Sequence, residues 1–121
     1  HPLTLLTGHE VVVDGAYLGG ADGSVPGLAN IAPEPYVEMW RAAEAGDWAR
    51  VRELQDYLAD LMLITQVTTG VGGYGAGVGA FKTALREMGV FSSNRMPEPV
   101  AELEGENVEA IRQVLATCDL L

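Results

Sequence analysis

Leu3-Thr4-Leu5-Leu6-Thr7-Gly8-His9-Glu10-Val11-Val12-Val13-Asp14-Gly15-Ala16-Tyr17-Leu18-Gly19-Gly20-Ala21-Asp22-Gly23-Ser24-Val25-Pro26-Gly27-Leu28-Ala29-Asn30 is the stretch on which the fold turns. Leu3 to Thr7 is a short apolar run closed by Gly8, the length of a buried strand. Val11-Val12-Val13 favours strand locally, but Asp14 interrupts the run and Gly19-Gly20 is a helix stop. Glu10–Leu18 therefore reads as a short helix. Gly20 to Gly23 is a tight turn. Ser24 to Asn30 is a second apolar run, and its Pro26 and Gly27 mark a strand end, an edge or a bulge. The order is strand, helix, strand.

Downstream the periodicity changes to that of helices. Pro33 or Pro35 suits a first helical turn, and Tyr36, Val37, Met39, Trp40 and Ala43 form its apolar face. Gly46 stops that helix and Asp47 is the N-cap of the next, which runs to about Ile64. Val51, Leu54, Leu58, Leu61 and Met62 form an apolar stripe at three- and four-residue spacing. Glu34, Glu38, Glu53, Asp56 and Asp60 lie mostly off these faces and read as solvated. A glycine-rich loop, Thr68 to Gly79, precedes a helix from Val78 to Met88. Phe91 to Pro99 is irregular. A last helix starts at Glu106 or Asn107 and is expected to contain Cys118.

At 121 residues the chain has room for one domain. Apolar residues make up 48% and charged residues 20%, a globular composition. Seventeen acidic against seven basic residues give a net charge of −10, which disfavours nucleic acid and anionic membrane as partners. No apolar run approaches the ~20 residues of a membrane span. No signal peptide is expected, since the start, His1-Pro2-Leu3, has no basic leader region, and the single cysteine makes a reducing, cytoplasmic setting the default. It is also not Met, which points to processing or to a piece of something longer. The one cysteine, Cys118, allows neither an internal disulfide nor a multi-cysteine zinc site.

Few constellations carry chemistry. Gly70-Val71-Gly72-Gly73-Tyr74-Gly75 matches G-x-G-x-x-G, but a dinucleotide site needs a strand before it and an acid about 20 residues on. The helical stripe runs into the required strand, and Asn94-Arg95 stands where the acid belongs. His1 and His9 alone cannot make a metal site, which needs three or four ligands, so no metal is expected. Cys118 reads as a small core residue, and Ser92-Ser93 has no neighbouring base. Trp40 and Trp48 read as core or interface of a helix pair. Lys82, the one lysine, lies mid-helix with no desolvated pocket to make it nucleophilic.

Leu5-Leu6-Thr7-Gly8-His9-Glu10 followed by Leu18-Gly19-Gly20-Ala21-Asp22-Gly23-Ser24-Val25-Pro26-Gly27-Leu28-Ala29-Asn30 resembles the seventh and eighth strands of the dihydrodipicolinate synthase / N-acetylneuraminate lyase family of (β/α)8 aldolases. Further along, Ala45-Gly46-Asp47-Trp48-Ala49-Arg50, Phe81-Lys82-Thr83-Ala84-Leu85 through Gly89, and Arg95-Met96-Pro97 resemble that family's helix junction, Val-Lys-x-x-Leu…Gly segment and Arg-x-Pro. The pieces occur in order over nearly the whole chain.

The resemblance implies an α/β fold: the C-terminal part of a (β/α)8 TIM barrel, its last two strands, followed by C-terminal helices. Residues 1–32 would carry the last two βα units and 33–121 the helical portion of the same domain. A complete barrel takes about 250 residues. The Schiff-base lysine, on the sixth strand, and the tyrosine acid/base would precede His1. Lys82 matches the family's structural C-terminal lysine. No catalytic residue and no cofactor are then expected within this chain, and the fragment alone is expected to be inactive. Val25 would present its backbone near the pyruvate portion of the substrate, and Gly8, Glu10 and Gly27 would line the pocket for the second portion. His9-Glu10 replace the commoner Asp-Asp or Asp-Glu, and Pro26-Gly27 alter the end of the eighth strand. The complete enzyme would join pyruvate, or another 2-oxo acid, to an aldehyde, or cleave such a product, as a homotetramer.

Two other functions fit the residues. One is a non-catalytic helical interaction module with Trp40, Trp48 and Tyr57 as anchors. The other is a dinucleotide-binding fragment at Gly70–Gly75. Two strands cannot close a barrel, so the chain alone is expected to be marginal, aggregation-prone or completed by a partner.

Overall fold

The computed structural model describes residues 2–121 and divides into two compact units, His1–Ala59 and Asp60–Leu121. In the first unit, strand β1 (Leu6–Thr7) and strand β2 (Gly23–Ser24) pair in parallel, Leu6 with Gly23 and Thr7 with Ser24. The ladder extends at both ends. Asp22 N–H donates to the Leu5 carbonyl and Val25 N–H to that of Thr7, each at 2.8 Å. Parallel strands need a crossover, and helix α1 (Val13–Leu18) supplies it, with Val13 and Tyr17 buried.

Three expectations for this stretch are corrected. The first strand is not buried: Leu3 is 69% exposed and Leu6 54%. Parallel strands are covered by neighbours on both faces, and the described sheet has only two strands. The helix starts at Val13 rather than Glu10, because the β-branched Val12 stays outside helical geometry at φ −133°. The second apolar run is a two-residue strand and then a 3-10 turn, Gly27–Asn30. Pro26 has no N–H with which to continue the ladder.

Helix α2 (Pro33–Glu44) opens on its proline and buries Tyr36 and Met39. Trp40 lies edge-on to Tyr17, the ring centroids 5.0 Å apart at 73°. Gly46, at φ +73°, takes the left-handed conformation that ends the helix. Asp47 then caps helix α3 (Trp48–Met62), its Oδ1 accepting the Arg50 N–H at 3.2 Å. Val51, Leu54 and Leu58 are buried, while Glu34, Glu38, Glu53, Asp56 and Asp60 are all exposed as expected. Trp48 is 37% exposed at the start of α3 and is not paired with Trp40.

The second unit begins in the last turn of α3, which tightens into a 3-10 turn at Leu63–Thr65. Helix and turn thus stand where the dinucleotide fingerprint requires a strand. Beyond the glycine-rich loop, helix α4 (Val78–Glu87) buries Ala80, Thr83, Ala84 and Leu85. Helix α5 (Gly105–Thr117) buries Ile111 and Leu115. Cys118 is buried but lies just past the end of α5, not inside it. Buried Asn94 pins the irregular segment. Its Nδ2 donates to Thr83 Oγ1 and to the Leu103 carbonyl, both at 3.0 Å, and its Oδ1 accepts from Arg86 at 2.8 Å. No helix among the described residues is long and apolar enough to cross a membrane.

Candidate functional site at the two strand ends

Parallel pairing puts the C-terminal ends of β1 and β2 on one edge, and all four nominated site residues follow those ends. Gly8 and Glu10 follow β1; Val25 and Gly27 follow β2. Open space surrounds Gly8 where a Cβ would stand. Val25 is 65% exposed, its N–H committed to Thr7. Glu10 and Gly27 meet directly: Glu10 Oε1 accepts the Gly27 N–H at 3.0 Å. A carboxylate acceptor makes this a charge-assisted bond, and it ties the two strand ends together. Asn30 Nδ2 donates to the Gly27 carbonyl at 2.9 Å and holds the same turn from the other side.

Glu10 is held from behind as well. Its carbonyl accepts from Tyr36 Oη and from Gln55 Nε2, each at 3.0 Å. Gln55 Oε1 in turn accepts the Asp14 N–H at 3.1 Å. Burial pushes the Tyr36 phenol well above its ordinary value of 10.0, and the charges of Glu10 and Tyr17 add to the shift. Tyr36 therefore remains a hydrogen-bond donor throughout the physiological range. Tyr17 Oη and Ser24 Oγ share a hydrogen bond of 2.8 Å, which fixes α1 to β2.

Gln55 and Tyr36 were not among the residues singled out from the sequence for the site. For Gln55 a signal exists: it lies four residues after Val51 and three before Leu58, on the apolar stripe itself. A polar residue in that place needs buried partners.

This arrangement can bind and orient, but it offers no amine nucleophile. Lys82 lies on α4, and its Nζ donates to the Arg95 carbonyl at 3.0 Å, in keeping with a structural role. His9 is exposed beside Glu10; His1 lies outside the described residues. No cluster of three metal-ligating side chains occurs among the described residues. Beside β2 a groove of about 350 Å³ is lined by Tyr17, Ser24, Pro26, Tyr36, Val37 and Trp40, among others.

The profile of the Dihydrodipicolinate synthetase family matches residues 1–118, and the chain belongs to that family. It is 31% identical over 101 residues to 4-hydroxy-tetrahydrodipicolinate synthase of Aquifex aeolicus, covering 84% of this chain and 32% of that protein. It is 24% identical over 115 residues to N-acetylneuraminate lyase 2 of Escherichia coli, covering 94% of this chain and 35% of the lyase. The structure of dihydrodipicolinate synthase from Bacteroides thetaiotaomicron superposes with a TM-score of 0.80 at 30% identity, over 94% of this chain and 37% of that one. The chain thus spans about a third of the length of the relatives it matches. Its two-stranded, mostly helical architecture corresponds to part of such an enzyme.

Proposed function

We propose that this chain supplies the last two βα units (residues 1–32) and the helical C-terminal portion (33–121) of a pyruvate-dependent aldolase or lyase. The observation that carries this reading is the parallel strand–helix–strand unit whose ends bring Gly8, Glu10, Val25 and Gly27 to one edge. Barrels of this kind place their chemistry at the C-terminal ends of their strands.

In the complete enzyme a lysine outside this chain condenses with the carbonyl of pyruvate and releases water. The resulting imine withdraws electrons, so that loss of a proton from the neighbouring carbon gives an enamine. That carbon attacks an aldehyde carbonyl, or the reverse sequence cleaves the product. Val25, its N–H already used, presents the rest of its backbone to the pyruvate portion. Gly8, Glu10 and Gly27 line the space for the aldehyde. A cytoplasmic homotetramer is the assembly that this reading carries with it.

A chimera tests the proposal: the N-terminal part of the Aquifex aeolicus enzyme followed by residues 1–121. Pyruvate with borohydride is expected to trap one adduct on a lysine outside the 121 residues, with Lys82 unmodified. A folded chimera that traps nothing, or traps pyruvate on Lys82, overturns the reading.

A further inference from the structure

We infer that Gln55, together with Tyr36, is a positioning residue for the strand-end site, holding Glu10 so that its carboxylate stays on Gly27. Both side chains are buried, Gln55 4% and Tyr36 5% exposed, and neither follows a strand end. Each donates to the same atom, the Glu10 carbonyl oxygen, at 3.0 Å. Gln55 is 45 residues away in sequence and Tyr36 26, so two separate helices converge on one loop residue.

Gln55 also accepts the Asp14 N–H, so one amide holds both loop residue 10 and the first turn of α1 at residue 14. A lone local cap would need only the second of these bonds. With the Glu10 backbone held twice, its side chain has a short arc to search, and within that arc Gly27 N–H is taken at 3.0 Å. Gly27 begins the 3-10 turn that leaves β2, so the setting of Gln55 reaches the second strand end through Glu10. The functional consequence, that Gln55 governs the aldehyde side of the pocket and not the pyruvate side, rests on the reading proposed above.

The test is amide hydrogen exchange on these 121 residues within the chimera, comparing wild type with Gln55→Met, which keeps the side-chain length, and with Tyr36→Phe, which keeps the ring. In both variants the Gly27 amide is expected to exchange about tenfold faster, the scale of one charge-assisted hydrogen bond. Glu10→Ala should do the same, and adding it to Gln55→Met should bring little more, since both act through one bond. If Gln55→Met exposes the Asp14 amide and leaves Gly27 protected, Gln55 only caps α1 and the inference falls. Tyr36→Phe decides the matter if Gln55→Met does not fold, since unchanged Gly27 protection there overturns it equally. In the chimera, Gln55→Met is expected to raise KM for the aldehyde severalfold while the trapped pyruvate adduct is unchanged. A wild-type chimera that traps no pyruvate defeats the function and leaves the exchange result to judge Gln55.

Discussion

Tyr36 shows how much one side chain carries in this fold. Its ring fills the core of α2, and its hydroxyl serves a loop 26 residues away. Removing that hydroxyl in Tyr36→Phe should cost about 1 kcal/mol at neutral pH, the worth of one neutral hydrogen bond. The pH dependence has a definite sign. Folding raises the phenol above its ordinary 10.0, so the protonated form is favoured in the folded chain. The stabilisation linked to Tyr36 is complete below pH 10 and is lost as pH rises above it. Chemical denaturation between pH 8 and about 11 should show a fall in wild type that is smaller in Tyr36→Phe. Equal slopes would show that the group is not linked to folding. Cys118 sits in an environment of the same sense: burial pushes the thiol up, and Asp60 and Asp119 add to it, which leaves a small inert core residue as the sequence suggested.

Among elements, α4 and α5 depend on a shared carboxylate. Glu87, at the end of α4, accepts from Arg112 of α5 at 3.1 Å and from its neighbour Arg86 at 3.2 Å. Burial alone would raise its carboxyl, but the hydrogen bonds from Arg112 and Arg86 outweigh burial and hold it below the ordinary 4.5. A lowered value means stabilisation that is present above pH 4.5 and lost as pH falls below it. Glu87→Gln should therefore lower stability at pH 7 and show a shallower loss on acidification than wild type. Denaturant midpoints at pH 7, 5, 4 and 3 measure both effects, and parallel curves would rule the linkage out. Arg86 also holds Asn94, so one short helix end serves both the packing of α5 and the irregular segment before it. Helix starts at Pro33 and Asp47 and the acidic solvated face were legible beforehand, because capping and amphipathicity are local. The length of α1 was not: Val12, at φ −133° and ψ 24°, is neither helical nor extended, and the helix begins only after it.

For the whole molecule, the sheet decides behaviour. The two short strands and the residues flanking them present Leu3, Leu5, Leu6 and Val25 to solvent, all more than half exposed. Unpaired parallel edges with apolar side chains invite further strands. The isolated chain is expected to bind a hydrophobic dye and to self-associate as concentration rises, in spite of its net charge of −10. Co-expression with the N-terminal part of a family member should suppress both effects. A monomer that unfolds cooperatively and binds no dye would show that the two-stranded unit is self-sufficient and would weaken the proposed function with it.

The sequence alone determined the order strand, helix, strand and then helices, the helix starts at Pro33 and after Asp47, the solvated carboxylates and the resemblance that nominated Gly8, Glu10, Val25 and Gly27. These depend on spacing of three to seven residues, on proline and glycine geometry, and on motif order, all of which are carried along the chain itself. Only the tertiary structure decided that Glu10 bonds to Gly27, that Gln55 and Tyr36 meet at the Glu10 carbonyl, and that β1 lies exposed. Those facts depend on groups 17 to 45 residues apart and on the number of strands available to cover a sheet. A hydrogen bond needs its partner within about 3 Å, and no periodicity in the chain specifies which distant helix will bring it there.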